Sequence, residues 1–196
     1  MIRIFILLLC SPLIASQRII PESEVREKLS FYQKIKELKT QFHQVKSIKS
    51  LGMELKSEGE MVLTRPEDVI WKIKKPSYSE VRLHSNTITL FSGEGGDLKK
   101  QEMTLGKETD PNVSKALLSM MAWMRMDIPE ILRSYTISEI SPAIFRCEPK
   151  SLENSVFAAL VFKLHPKGHV NELTIEEKSG DSIKIEFETP TVKFSP

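Results

Sequence analysis

Four histidines, Cys147 and a glycine run are where this chain of 196 residues could do metal or covalent chemistry. His165 and His169 stand four apart in His165-Pro166-Lys167-Gly168-His169. Pro166 and Gly168 make that segment a turn, and no Glu follows the first His as in a zinc peptidase. Cys147 has no His partner evident in the sequence, and no Gly-x-Ser-x-Gly elbow occurs. Gly93-Glu94-Gly95-Gly96 lacks the Lys-Ser/Thr that completes a phosphate loop. The residues point to binding rather than catalysis, with no metal and no cofactor. The binding chemistry on offer is apolar. Trp71 shares a strand face with Val69 and Ile73, and four of the eight methionines fall within 120–126. Methionine is flexible and polarisable and suits varied apolar partners, but it also fills ordinary cores. Beside them stands Arg65, at a strand end next to a turn.

These residues need elements to position them. Residues 59–76 read as two strands joined by a tight turn at Pro66-Glu67-Asp68, with Pro76 ending the run. Residues 21–42 read as a helix, because Val25, Leu29, Tyr32, Ile35, Leu38 and Phe42 recur at three- and four-residue spacing after Pro21. A second helical region is expected over 110–133, capped by Asp110 and interrupted at Asp127-Ile128-Pro129. Its apolar side holds Val113, Leu117, Met120, Met121 and Met124. Elsewhere the period is two. Strands are expected over 41–48, 53–65, 69–75, 79–84, 87–91, 99–105, 135–140, 144–148, 156–164, 170–177 and 182–188. No helix separates the members of each series, so neighbours pair as antiparallel hairpins.

The N-terminus addresses the compartment. Arg3, the apolar run from Ile4 to Cys10 and the small pair Ala15-Ser16 read as a secretory signal peptide over residues 1–16, too short to span a bilayer. Residues 17–196 then form a single domain, ample for a core. Basic and acidic residues number 28 and 26, a balance that excludes a dedicated nucleic-acid surface. Cys147 is the only cysteine after the signal segment, so no internal disulfide staples the domain.

An N-terminal helix, eleven antiparallel strands and a helical insertion in mid-sheet resemble the LolA family of periplasmic lipoprotein carriers. The residues that carry the resemblance are Phe42-His43-Gln44 with Lys46, Ser57-Glu58-Gly59, the order Arg65-Pro66, Trp71, Pro76, and the closing Leu173-Thr174-Ile175, Gly180-Asp181, Ile185-Glu186-Phe187. Their spacing is closest to LolA-related carriers of envelope-lipid or polyene pathways. The resemblance implies a mainly β fold: a strongly curved sheet, an incomplete β-barrel, with an α lid. It implies an apolar hollow lined by Phe42 and Trp71 and roofed by Leu117, Met120, Met121 and Met124. Arg65 would bond lid carbonyls when the hollow is empty. The implied function is a monomeric periplasmic carrier that takes acyl chains of a lipoprotein or lipid from an inner-membrane ABC-type exporter towards an outer-membrane acceptor. A lipid-binding sensor or assembly factor without transfer is the alternative.

Overall fold

The computed structural model describes residues 17–66, 68–93, 98–105, 111–153, 155 and 157–195; for 111–116 and 119 only the backbone is described. The expected signal segment, Cys10, most of the 93–97 loop, the Asp110 cap and the Val113 side chain lie outside the described residues.

The elements in chain order are β1 (Arg18–Ile19), α1 (Glu22–Lys28), α2 (Ser30–Gln33), β2 (Ile35–Ile48), β3 (Met53–Thr64), β4 (Asp68–Lys75), β5 (Tyr78–His84), β6 (Thr87–Gly93) and β7 (Lys99–Thr104). Then come α3 (Pro111–Arg125), α4 (Ile128–Ser134), β8 (Tyr135–Ser141), β9 (Ile144–Pro149), β10 (Ala159–Leu164), β11 (Val170–Glu176), β12 (Ser182–Phe187) and β13 (Thr191–Phe194). All the strands join one antiparallel sheet in the order β1-β8-β9-β10-β11-β12-β2-β3-β4-β5-β6-β7, with β13 beside the first half of β2. Among the described residues the sheet has 13 strands, two more than the about eleven read from the sequence. β1 and β13 hold two and four residues, too few to display an alternation. None of the described helices is long and apolar enough to cross a membrane.

The expected helix over 21–42 is corrected. Helical structure stops at Gln33, and β2 begins at Ile35. Ile35, Leu38 and Phe42 do fall at helical spacing. In the structure, however, Leu38, Thr40 and Phe42 are the buried alternate positions of a strand, with Lys39 and Gln41 exposed between them. Thr40 carries the alternation, and its hydroxyl is satisfied by the Glu188 carbonyl at 2.8 Å, so a polar residue sits on the buried face without penalty.

The curvature follows from which residues meet. β10 and β4 are five places apart in the sheet order. A flat sheet would hold them about 24 Å apart at ~4.8 Å per strand. Leu160 of β10 and Trp71 of β4 nevertheless line one cavity. The sheet therefore curls around its inner face. One end is filled by Val25, Leu29 and Tyr32 of the α1–α2 segment, packed with the fully buried row Leu38, Leu63, Val69 and Leu83.

Candidate functional site

The inner face encloses a cavity of about 420 Å³, within the ~300–1,000 Å³ typical of small-molecule sites. Register explains its lining. Met61 is directly opposite Trp71, and Leu160, Ile175 and Ile183 fall on one cross-strand row. The roof comes from α3 and the residue after it: Met120, Trp123, Met124 and Met126. The cavity follows β11 from Val170 and reaches Glu177 just past its end, about 24 Å at ~3.4 Å per residue. Its polar groups are few, and Thr40 stands on the row of Met61 and Trp71 with its hydroxyl already bonded to the Glu188 carbonyl. Glu177 pairs with Lys46 at 2.9 Å at one end. At the other, the buried Tyr32 hydroxyl accepts from Val170 N at 2.8 Å, and burial pushes its pKa up to about 12.

Trp71, Met120 and Met124 line the cavity. Phe42 is 1% exposed and stands outside the lining, stacked on the indole of Trp71 with ring centroids 4.2 Å apart. Phe187 meets both rings edge-on. Phe42 thus supports the wall rather than forming it. Leu117 and Met121 are also outside the lining. They lie on a stripe one residue, about 100°, away from that of Met120 and Met124, and they pack with the core. The alternation pattern could have found Leu173, Ile175 and Ile183. The sequence marked His169 only through its spacing from His165, not as part of an apolar wall; it is buried in that wall with its ring stacked on His165 at 4.5 Å.

Arg65 is half-buried where α2, β3 and the α3–α4 junction meet. One guanidinium nitrogen, Nη2, donates to the carbonyl oxygens of Tyr32 at 3.0 Å and Met126 at 3.1 Å. Its Nε is buried with no acceptor among the described residues. Burial pulls its pKa down, and the charge of Asp127 opposes that. The Met126 carbonyl is held in place by a helix-end motif. Met126 has φ +50°, Met126 N donates to Trp123 O at 3.1 Å, and Asp127 N donates to Ala122 O at 2.8 Å. This is the paired bonding of a left-handed C-terminal cap. Asp127 then starts α4, accepting from Glu130 N at 3.3 Å. One arginine therefore ties the end of the roof helix to the N-terminal helical segment. Among the described residues no three His, Cys, Asp or Glu side chains cluster as metal ligands. Cys147 is free and buried, and burial pushes its thiol pKa well up.

Residues 33–195 match the family model described as outer membrane lipoprotein carrier protein LolA. No curated protein matches the chain. Among solved structures it is similar to a LolA superfamily protein from Nitrosomonas europaea (9% identity, 90% of this chain and 96% of that chain covered, TM-score 0.44). It is also similar to a putative outer membrane lipoprotein-sorting protein domain from Vibrio parahaemolyticus (7%, 88% and 92%, 0.47). A third is the lipoprotein LppX of Mycobacterium tuberculosis (10%, 85% and 92%, 0.42).

Proposed function

The chain belongs to the LolA family of outer membrane lipoprotein carriers, and from that premise we propose that its cavity takes up acyl chains of a lipoprotein or lipid and hands them to an acceptor. The route runs through the periplasm, from an inner-membrane exporter towards the outer membrane. The observation that supports this reading is the apolar cavity of about 420 Å³, roofed by methionines on a helix whose end is held by one arginine. Moving hydrocarbon through water needs such a site. Each methylene costs ~0.8 kcal/mol in water, so a chain of about fifteen costs on the order of 12 kcal/mol. A cavity that offsets most of that cost leaves the cargo able to depart for a stronger acceptor.

In this reading Arg65 is the latch of the empty state. Cargo that lifts the roof breaks the Met126 bond. A hydrogen bond from a charged donor is worth about 1.5–3 kcal/mol. Arg65→Leu removes that reward for closing, so acyl affinity rises about 10- to 100-fold and delivery slows. The check is binding of a fluorescent acyl probe, followed by transfer of an acylated peptide to acceptor vesicles. Wild-type values in both assays would sink the latch. Native mass spectrometry of the protein from its own envelope tests the carrier reading as a whole. An empty protein that also ignores acylated peptides would end it, and capture without delivery would make it a sensor.

A further inference from the structure

The geometry points to a second working surface: we propose that the β2–β3 hairpin is a tongue that seats the mouth of the cavity on an anionic phospholipid surface. The purpose of the contact, loading and unloading acyl cargo, rests on the carrier reading; the contact itself does not. β3 pairs with β4 only from Glu58 onward, and β12 reaches β2 only as far as Ser47. Among the described residues, 53–57 therefore have no neighbour on the β4 side, so the β3 arm stands beyond the end of β4, while the β2 arm is flanked to its end by β12 and by the turn before it, where Lys49 N donates to Asp181 Oδ1 at 3.0 Å. Its tip exposes large apolar side chains: Leu51 is 65% exposed, Met53 50% and Leu55 49%.

The position of these residues gives them meaning. The β2–β3 ladder is continuous from Met53 to Thr64, so Met53 and Leu55 share the inner face with Met61, which lines the cavity. Leu55 is opposite Lys46, and Lys46 is opposite Ile183, another lining residue. An apolar strip thus leaves the cavity, passes the Lys46–Glu177 ion pair and ends on the tip. The charges around it suit one occupant. With Lys46 paired to Glu177, the tip and the turn bonded to it carry Lys49, Lys56 and Lys178 against Glu54 and Asp181, a small positive balance. Apolar side chains flanked by lysines whose stems can lie along a hydrocarbon boundary are the makings of an interfacial anchor on anionic lipid. A protein interface of ordinary size buries about 800 Å² per partner, more than one narrow hairpin tip presents.

The test is cosedimentation of the mature protein with vesicles of phosphatidylethanolamine and phosphatidylglycerol, and with vesicles of phosphatidylcholine alone. Wild type is expected to bind the anionic vesicles and to release as salt rises. The triple variant L51S/M53S/L55S and the double variant K49E/K56E should each lose about tenfold or more in binding. Thermal melts and binding of a soluble fluorescent acyl probe should stay at wild-type values in both, since neither set touches the cavity. Wild type that ignores both vesicle types, or variants that bind as wild type does, overturns the proposal. So does a tongue variant that fails to accept cargo from native membranes while wild type shows no vesicle binding; the tongue then seats a protein. If the carrier reading itself is wrong, the acyl probe binds to none of the proteins, whatever the vesicles show.

Discussion

Position 59 has no room for a side chain. A Cβ there would stand 1.9 Å from the Lys72 carbonyl oxygen and 2.8 Å from Cζ of Phe42. The glycine is what lets the Phe42 ring lie across β3 and reach Trp71. Gly59→Ala must push β4 or the ring away, and overpacking of this kind costs about 1–3 kcal/mol. A lower urea midpoint with altered indole fluorescence is the expected result; a wild-type midpoint would contradict the contact. His169 makes a prediction about pH. Burial, with smaller contributions from the nearby His165 and Lys167, holds its pKa below the usual 6.5; Phe31 of α2 packs against its ring. A base with a depressed folded pKa binds its proton more readily when unfolded. Stability is therefore intact above the ordinary histidine pKa and declines as pH falls below it towards the folded value. Thermal unfolding at about pH 7.5 and about pH 5.5 should show that decline in wild type and a smaller one in His169→Gln. Equal declines would remove His169 from the account.

Among the elements, the α3–α4 junction concentrates the most consequence in the fewest residues. The Asp127 side chain caps α4 and its charge favours the Arg65 guanidinium. Asp127→Ala should cost about 1 kcal/mol as a lost cap and speed amide exchange in the first turn of α4; unchanged exchange there would dismiss the cap. This junction was readable in outline, since Asp127-Ile128-Pro129 announces a break. The tie to Arg65 was not, because it uses backbone carbonyls that any residue supplies. The same limit explains the misjudged helix. Leu38 and Phe42 satisfy both helical spacing and, with Thr40, strand spacing, while Ile35 joins them only at the helical spacing. Only the partners of β2, namely β3, β12 and β13, decide between them. The clearest strand was legible because its apolar and charged residues alternate, Ile183, Ile185 and Phe187 against Lys184, Glu186 and Glu188, whereas β1 and β13 are too short to show a pattern.

For the whole molecule, the fold class could be read from the chain but the cavity could not. Its wall takes one to three residues from each of several strands, and which of them face each other depends on register and on how far the sheet curls. β13 shows how closely the sheet depends on its last residues. It pairs Thr191 to Phe194 with the first half of β2, and Pro190 just before it lines the cavity. Removing residues 191–196 should bare that stretch of β2 as an open edge and make the protein associate more than wild type does, as read by light scattering; a truncated protein that scatters as wild type does would count against this. The sheet has one further property as a whole. Its end strands β1 and β7 are not joined to each other. A barrel whose ends are joined has its bore set by strand number and stagger. An unjoined one can widen or narrow by changing its curl, with every main-chain bond intact. If the carrier proposal holds, guests of different girth would cost this protein some side-chain contact and none of its backbone, and one unchanging sequence would serve several sizes of passenger.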